Sequence, residues 1–299
     1  MPSIAVLMAS YNRSKATLSC LESLYGQQTS KPINFTVFLT DATSSDGTPE
    51  LVQSRFPDVH LYQVDNDVFW NRSMINSYRA STEEGSNYDF YLLLNDDIVL
   101  TPEALELLLS TVRKNKDDDG TEPVVVGALA DRVTRNTTYS GLQRRHPLLP
   151  GFRIVRPSDT EALKADTMNC NCVLVPREII HRVGFLDPVY QHSKGDIDFG
   201  LRITASRLNV IVAPGHVGTC SRNSWRNSWR DAAVPMKERF RKLQGPKGLP
   251  FSEQAYFCRR HYGIFWSYYL LVTYLIVMLR LLLPLRNVHE PHPSPMNEG

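Results

Sequence analysis

The sequence predicts an α/β fold, a mostly parallel central sheet flanked by helices, on three observations. Strand-like and helix-like segments alternate through the first half; polar clusters follow each strand; and two adjacent acids interrupt the apolar run YLLLNDDIVL at Tyr91 to Leu100. Ser3 to Ala9 is an apolar run ending in SYNRS, and Ala16 to Tyr25 then has helical spacing, with Leu18, Leu21, Leu24 and Tyr25 on one face. Phe35 to Leu39 is the second strand, closed by the turn cluster TDATSSDGT. A helix is expected from near Pro49, a third strand over His60 to Val64, and a helix over Asn71 to Glu84. Phe90 to Leu94 makes a fourth strand and Pro102 to Lys114 an apolar-striped helix. Further on, Val124 to Leu129 and Asn169 to Val175 read as strands, Glu178 to Val183 as a short helix ending at Gly184, and Ile197 to Leu208 as a helix. In open parallel sheets ligands bind beyond the carboxyl ends of the strands. Ser10 to Asn12, Asp41, Asp65 to Asp67 and Asn95 to Asp97 all fall there.

The totals bound the function classes. A chain of 299 residues, 42% apolar and 21% charged, can bury a large core and is neither disordered nor polytopic. A formal charge of +2 without an aromatic-interleaved basic patch excludes nucleic acid as the expected partner. Five scattered cysteines without a C-x-x-C pair suit reduced thiols in a cytosolic compartment. The start MPSIAVLMASYNR lacks a basic leader and reads as a first strand, so Asn12-Arg13-Ser14 carries no expectation of glycosylation. The run Lys114 to Asp119 reads as a solvated loop.

Gly263 to Leu285 is different. It is nearly long enough to span a bilayer, yet Arg280 and Pro284 interrupt it, and Arg259, Arg260 and Arg286 flank it. A segment lying in the membrane interface or re-entering it is the preferred reading, with a helix buried against the body or in an oligomer interface as the alternative. The expected organisation is a catalytic domain over 1–225 with a nucleotide-binding half 1–115 and an acceptor-binding half 120–225, a linker or helical region over 226–262, and an apolar helical membrane-associating tail over 263–299.

An ionised carboxylate in a core costs several kcal/mol or more unless paired or metal-bound. Asn95-Asp96-Asp97 at a strand end therefore offers an oxygen site to Mg2+ or Mn2+, although acid pairs in ordinary loops are common. In HSKGDIDFGLR, Asp196 opens a helix and Asp198 lies two residues on, where a helix cap is an equally simple reading.

Together ASYNR, DATSSDGT, LLLNDDIVL and VGFLDPVYQHSKGDIDFGLR resemble, in order, the motifs of family-two glycosyltransferases with a GT-A fold, including rhamnosyltransferase-like enzymes of polysaccharide assembly. The resemblance spans residues 3 to 220 and implies inverting transfer of a sugar from a nucleotide-diphosphate donor with a divalent cation, Mn2+ or Mg2+. It implies Ala9, Tyr11 and Asp41 around the base, Arg13 near the phosphates, Asp96 on the ribose or a metal-bound water, Asp97 as metal ligand and Asp196 as general base. Asn95 departs from the first acid of the family's DxD motif, and Gly195 replaces its usual Glu. His216 falls near where a third metal ligand is often supplied. Trp70, Asn71 and Asn171 are candidates for the donor sugar, and Asp198, Arg222 and Trp225 for donor or acceptor, against plain packing roles for each.

The expected acceptor is a glycan or lipid-linked glycan at the cytosolic face of a membrane, and a homo-oligomer is possible in such an assembly. Two other classes stay open. A nucleotidyltransferase would share the sheet but needs a Gly-rich phosphate loop that SYNRSKAT lacks. A noncatalytic nucleotide-sugar-binding subunit would keep the base pocket and dispense with Asp196.

Overall fold

The structure, a computed structural model, describes residues 1–83, 87–222 and 224–282. Its centre is an eight-stranded sheet in the order Leu163–Ala165, Val210–Val212, Val124–Val126, Cys172–Pro176, Phe90–Leu94, Ser3–Ser10, Asn34–Asp41, His60–Gln63. The last four of these run parallel to one another, Cys172–Pro176 is antiparallel to both neighbours, and Val124–Val126 is parallel to Val210–Val212. The mostly parallel sheet expected from the alternation is present.

Side chains alternate across this sheet because successive strand residues point to opposite faces. Ile4, Val6, Met8, Leu92 and Leu94 pack with Leu21, Leu24, Leu105 and Leu108 of the helices Ser14–Tyr25 and Ala104–Lys114. Ala5, Leu7, Leu93 and Val173 pack with Met74, Ile179, Phe199 and Ile203 of the helices Trp70–Glu83, Arg177–Val183 and Gly195–Ala205. Both faces are covered, so the strands read as unbroken apolar runs. Tyr25 departs from its expected face and lies half out of the core, stacked on Phe56.

The second half is more broken than the sequence suggests. Val124 to Leu129 is two elements: Gly127 ends the central strand where any Cβ would meet Val217, and Leu129–Ala130 joins a small sheet with Val99–Leu100, Gly218–Thr219 and Thr137–Tyr139. A hairpin of Gly141–His146 and Leu149–Ile154, paired with Thr167–Met168, forms a third sheet. The stretch 226–262, expected as a linker or helical region, takes the helical form. It carries helices Met236–Leu243 and Phe251–His261, and the latter packs on the apolar helix Trp266–Leu282. The end of the expected apolar segment at Leu285, the tail to residue 299 and Glu84 lie outside the described residues.

Asp198 joins the C-terminal helices to the sheet. Fully buried, it accepts hydrogen bonds from Tyr190 Oη, Arg202 Nε and Arg260 Nη1, and its Oδ1 lies 2.8 Å from His261 Nε2. Burial pushes its pKa up, but the His261 and Arg202 hydrogen bonds and the Arg202 and Arg260 charges outweigh that and hold it at about 2. With the folded value below the ordinary 3.8, the stabilisation is complete above about pH 4 and is lost as pH falls through 2. Asp198→Asn is therefore expected to cost about 3 kcal/mol at pH 7 by urea unfolding, with a deficit that shrinks toward pH 2, because buried cations lose their counter-charge. An equal cost at both pH values would contradict this.

Candidate active site

The strand ends are tied to each other before any ligand arrives. Asp41, fully buried at the end of its strand, accepts from Ser10 Oγ at 2.6 Å, Ser44 N at 2.7 Å and Ser44 Oγ at 2.6 Å. Asn12, at φ 50°, donates its N–H to Ser44 Oγ and accepts from Ser45 N, both at 2.8 Å. Asp46 takes the first free N–H of the helix Ser14–Tyr25, that of Ser14, at 2.8 Å. That carboxylate from a neighbouring loop satisfies an orphan donor that no side chain of the helix's own cap reaches.

The acid pair of YLLLNDDIVL is compensated by one cation. Arg13 Nη1 lies 3.2 Å from Asp96 Oδ1 and 2.9 Å from Asp97 Oδ2. The three side chains differ in exposure: Arg13 keeps 40%, Asp97 20% and Asp96 5%. The desolvation cost therefore falls on Asp96. Burial pushes its pKa well up, Arg13 pulls it back, and Asp97 adds to the rise. Thr17 Oγ1 offers Asp96 a weak contact at 3.4 Å, and the Cys220 thiol meets Asp97 Oδ1 at 3.4 Å. Asn95, the departure from the acid pattern, accepts from Trp70 Nε1 at 2.8 Å, and its own N–H donates to Asn171 O at 2.8 Å. The side-chain oxygen of Asn95 thus orients the Trp70 indole without adding a third carboxylate beside Asp96 and Asp97.

A cavity of about 1150 Å³ opens over these strand ends. Ala9, Tyr11, Arg13, Trp70, Asp96, Asn171, Asp196 and Trp225 all line it, so eight of the expected site residues meet in one space. The volume exceeds that of most single-ligand clefts and suits two ligands side by side. Asp196 has its Oδ1 fixed by the N–H of Ile197 at 2.7 Å, while Oδ2 has a weak contact from Asn169 Nδ2 at 3.4 Å. Burial raises its pKa above the usual carboxylate range, against those hydrogen bonds and the charge of Lys194.

Asp41, Asn71, Asp97, Asp198, His216 and Arg222 are not among the residues lining this cavity; Asp97 adjoins it through Asp96 and Arg13, which do line it. Asn71 is fully buried, its Nδ2 donating to Asp187 O at 2.9 Å and Tyr190 O at 2.8 Å. His216 Nε2 lies 3.0 Å from Thr137 Oγ1; in its segment the side chain that touches Asp97 is Cys220, just past the short strand Gly218–Thr219. Arg222 donates to Thr138 O at 3.3 Å. Asp198 serves the ion network described above. Sequence reading missed Lys194, His192, Phe69 and the C-terminal wall from Arg230 to Arg280. The aromatic density of 251–274 is a signal for packing, not for a cavity wall, and nothing local marks the second role.

Gly195 has a structural reason. A Cβ there would stand 1.8 Å from Asn71 Oδ1, and Asn71 cannot retreat while its amide holds two carbonyls. Asn71 and Gly195 are thus one device that brings the helix of Asp196 against the helix Trp70–Glu83.

The residues suit a divalent cation in kind. A guanidinium already bridges both carboxylates, a cationic stand-in, and Mg2+ or Mn2+ needs only one or two protein carboxylates when phosphate oxygens supply the rest. Among the described residues no group of three or more His, Cys, Asp or Glu is placed to hold a metal.

The model for glycosyl transferase family 2 matches residues 5–183. The chain belongs to this family. The N-acetylglucosaminyl-diphospho-decaprenol L-rhamnosyltransferase of Mycobacterium tuberculosis is 23% identical over 208 residues, covering 63% of this chain and 67% of the relative. The O-antigen biosynthesis protein RfbC of Myxococcus xanthus is 24% identical over 278 residues, covering 84% of this chain but only 20% of that longer protein. Among solved structures, S. aureus TarS 1–349 superposes with a TM-score of 0.53 at 14% identity, covering 88% of this chain and 72% of TarS 1–349; it has also been solved with UDP and with UDP-GlcNAc. The fold is that of these glycosyltransferases, and the family makes the chain a glycosyltransferase.

Two outcomes check the geometry. Gly195→Ala is expected to destabilise by about 1–3 kcal/mol, the usual cost of overpacking, with part of the loss restored when Asn71→Ala is added; strict additivity would refute the coupling. Arg13→Ala leaves Asp96 without its counter-charge. Since the raised folded pKa makes the native state bind the extra proton, stability falls as pH rises above about 4, and more steeply in the variant. Urea unfolding should show a deficit of about 1–2 kcal/mol at pH 8, after allowance for the partial exposure of Arg13, and little at pH 4.

Proposed function

We propose that this family 2 glycosyltransferase moves a sugar, with inversion, from a nucleotide-diphosphate sugar to a hydroxyl of a glycan or lipid-linked acceptor. The observation that carries the reading is that Asp196 and the Arg13–Asp96 cluster line one cavity large enough for both substrates. Ala9, Tyr11 and the loop held by Asp41 receive the nucleoside, and Arg13 faces the phosphates. Trp70, fixed by Asn95, and Asn171 stand at the donor sugar, and Trp225 overhangs it. Asp97, with Asp96 beside it, would hold a divalent cation, which when bound supplies positive charge to the departing diphosphate. The names of the relatives support a nucleotide-sugar donor and a diphosphate-lipid acceptor.

An acceptor hydroxyl is a poor nucleophile until a base takes its proton as the new bond forms. Asp196 is built for this. Its Oδ1 is locked by a backbone N–H, leaving Oδ2 for the acceptor, and its burial lifts the pKa toward the working range of a base. A binding subunit without catalysis would have no use for a carboxylate held at that desolvation cost. Attack opposite the leaving diphosphate then inverts the anomeric centre without a covalent sugar intermediate.

The membrane half of the reading rests on the last helix. With its preceding turn, Gly263–Leu282 is long and apolar enough to cross a bilayer. Yet one side is packed on the body through Tyr269, Leu270, Val277 and Leu281, and Tyr274 Oη donates to Leu249 O at 2.9 Å. The other side exposes Tyr268, Leu271, Leu275, Met278 and Leu282. Such a two-sided helix lies on the cytosolic face of a membrane and does not span it.

Asp196→Asn should lower kcat by about 100-fold or more while leaving the melting-temperature rise caused by the donor nucleotide intact, as expected when only proton removal is lost. In the native protein kcat/KM should climb with pH through a pKa above 3.8, since the base works ionised. Unchanged turnover in the variant would remove the assignment.

A further inference from the structure

The cavity lining carries a surplus of positive charge. Its acids are Asp96 and Asp196, whereas its cations are Arg13, Arg145, Lys194, Arg230, Lys247 and Arg280. Arg13 is committed to the acid pair, and Lys194 neighbours Asp196 and stands 4.9 Å above the Phe257 ring. Arg145 donates to the carbonyl of Phe152. Arg145, Arg230, Lys247 and Arg280 have no carboxylate partner among the described residues. Arg230 and Arg280 are close enough to repel one another, and the Arg230 guanidinium lies 5.0 Å over the Trp229 ring. Two neighbouring arginines on the cavity wall, one of them over the Trp229 ring and neither paired with an acid among the described residues, form a site that an anion would relieve.

Apolar surface meets these charges. The last helix presents Thr273, Ile276, Val277 and Arg280 to the cavity, the spacing of a single helical stripe, and Leu149 and Leu249 complete the wall. Its opposite side is the exposed apolar face already described.

The geometry points to a second ligand subsite at this end of the cavity, which takes a phosphate carried on an apolar chain, with Arg230 and Arg280 on the phosphate and Ile276, Val277 and Leu249 along the chain. The inference rests on the glycosyltransferase reading for its role, since such a ligand would be the acceptor's lipid phosphate held within reach of Asp196. Its test does not need transfer. Farnesyl diphosphate, farnesyl monophosphate, farnesol and inorganic pyrophosphate are titrated below their aggregation limits against the full chain, followed by tryptophan fluorescence and calorimetry, with UDP and dTDP titrated in parallel.

One or both farnesyl phosphates should bind at least ~10-fold tighter than farnesol and pyrophosphate, and the tighter of the two distinguishes a monophosphate from a diphosphate carrier. Arg230→Gln with Arg280→Gln should weaken that binding at least ~10-fold and leave nucleotide affinity unchanged, while the double Lys replacement keeps most of it. Pyrophosphate binding as tightly as the lipid forms, displacement of the probe by nucleotide, or indifference to the double Gln replacement would overturn the subsite. Absence of nucleotide binding would instead count against the glycosyltransferase reading, and the farnesyl titrations would still decide the subsite on their own.

Discussion

The rest of the site depends on one guanidinium shared by two carboxylates. Asp96 has lost nearly all of its water where the strand Phe90–Leu94 leaves the sheet, and such a position is sustainable only with a compensating charge in contact. Arg13, at the end of the neighbouring strand, supplies it. The first and fourth strands pair in parallel register, so the turns that follow them emerge on the same edge. Everything placed around that contact, from the Ser10–Asp41–Ser44 bonds to the Trp70–Asn95 bond, fixes the loops carrying it. A rigid frame around a charge cluster is what phosphate chemistry requires, because the groups need not reorganise when charge develops.

The second constraint acts from the far side. The helix of Asp196 is pinned by the Asn71–Gly195 contact at its start and by the Asp198 ion network one turn on. Position 198 looks like chemistry in sequence because it is an acid two residues from the proposed base, and in the structure it is what docks Phe251–His261. Loss of the family's Glu at 195 belongs to the same economy of space: the place its side chain would need is filled by Asn71.

Legibility followed locality. Strands such as Phe90–Leu94 and helices such as Ala104–Lys114 announce themselves because burial on both faces or on one stripe writes a period into the chain. The motif order also placed Arg13, Asp96 and Asp196, whose convergence follows from sheet topology. His216 and Asn71 misled because their partners, Thr137 and the carbonyls of Asp187 and Tyr190, are remote in sequence and carry no motif. The hairpin Gly141–Ile154 was invisible, and the helices within 226–262 had no readable bounds, for a related reason. Their apolar residues face a cavity and the last helix, not a sheet, so no regular period records the burial.

The central claim is that Arg13 is a cation standing where the donor's phosphates and their metal come to act. Crystals grown with Mn2+ and a bound nucleoside diphosphate test it most directly, read by anomalous scattering. The account predicts a manganese peak at an Asp97 oxygen, with Arg13 turned from that carboxylate toward the diphosphate, and Asp196 Oδ2 open to the same cavity. A diphosphate bound with Arg13 still bridging Asp96 and Asp97, or a manganese peak remote from both acids, would contradict it.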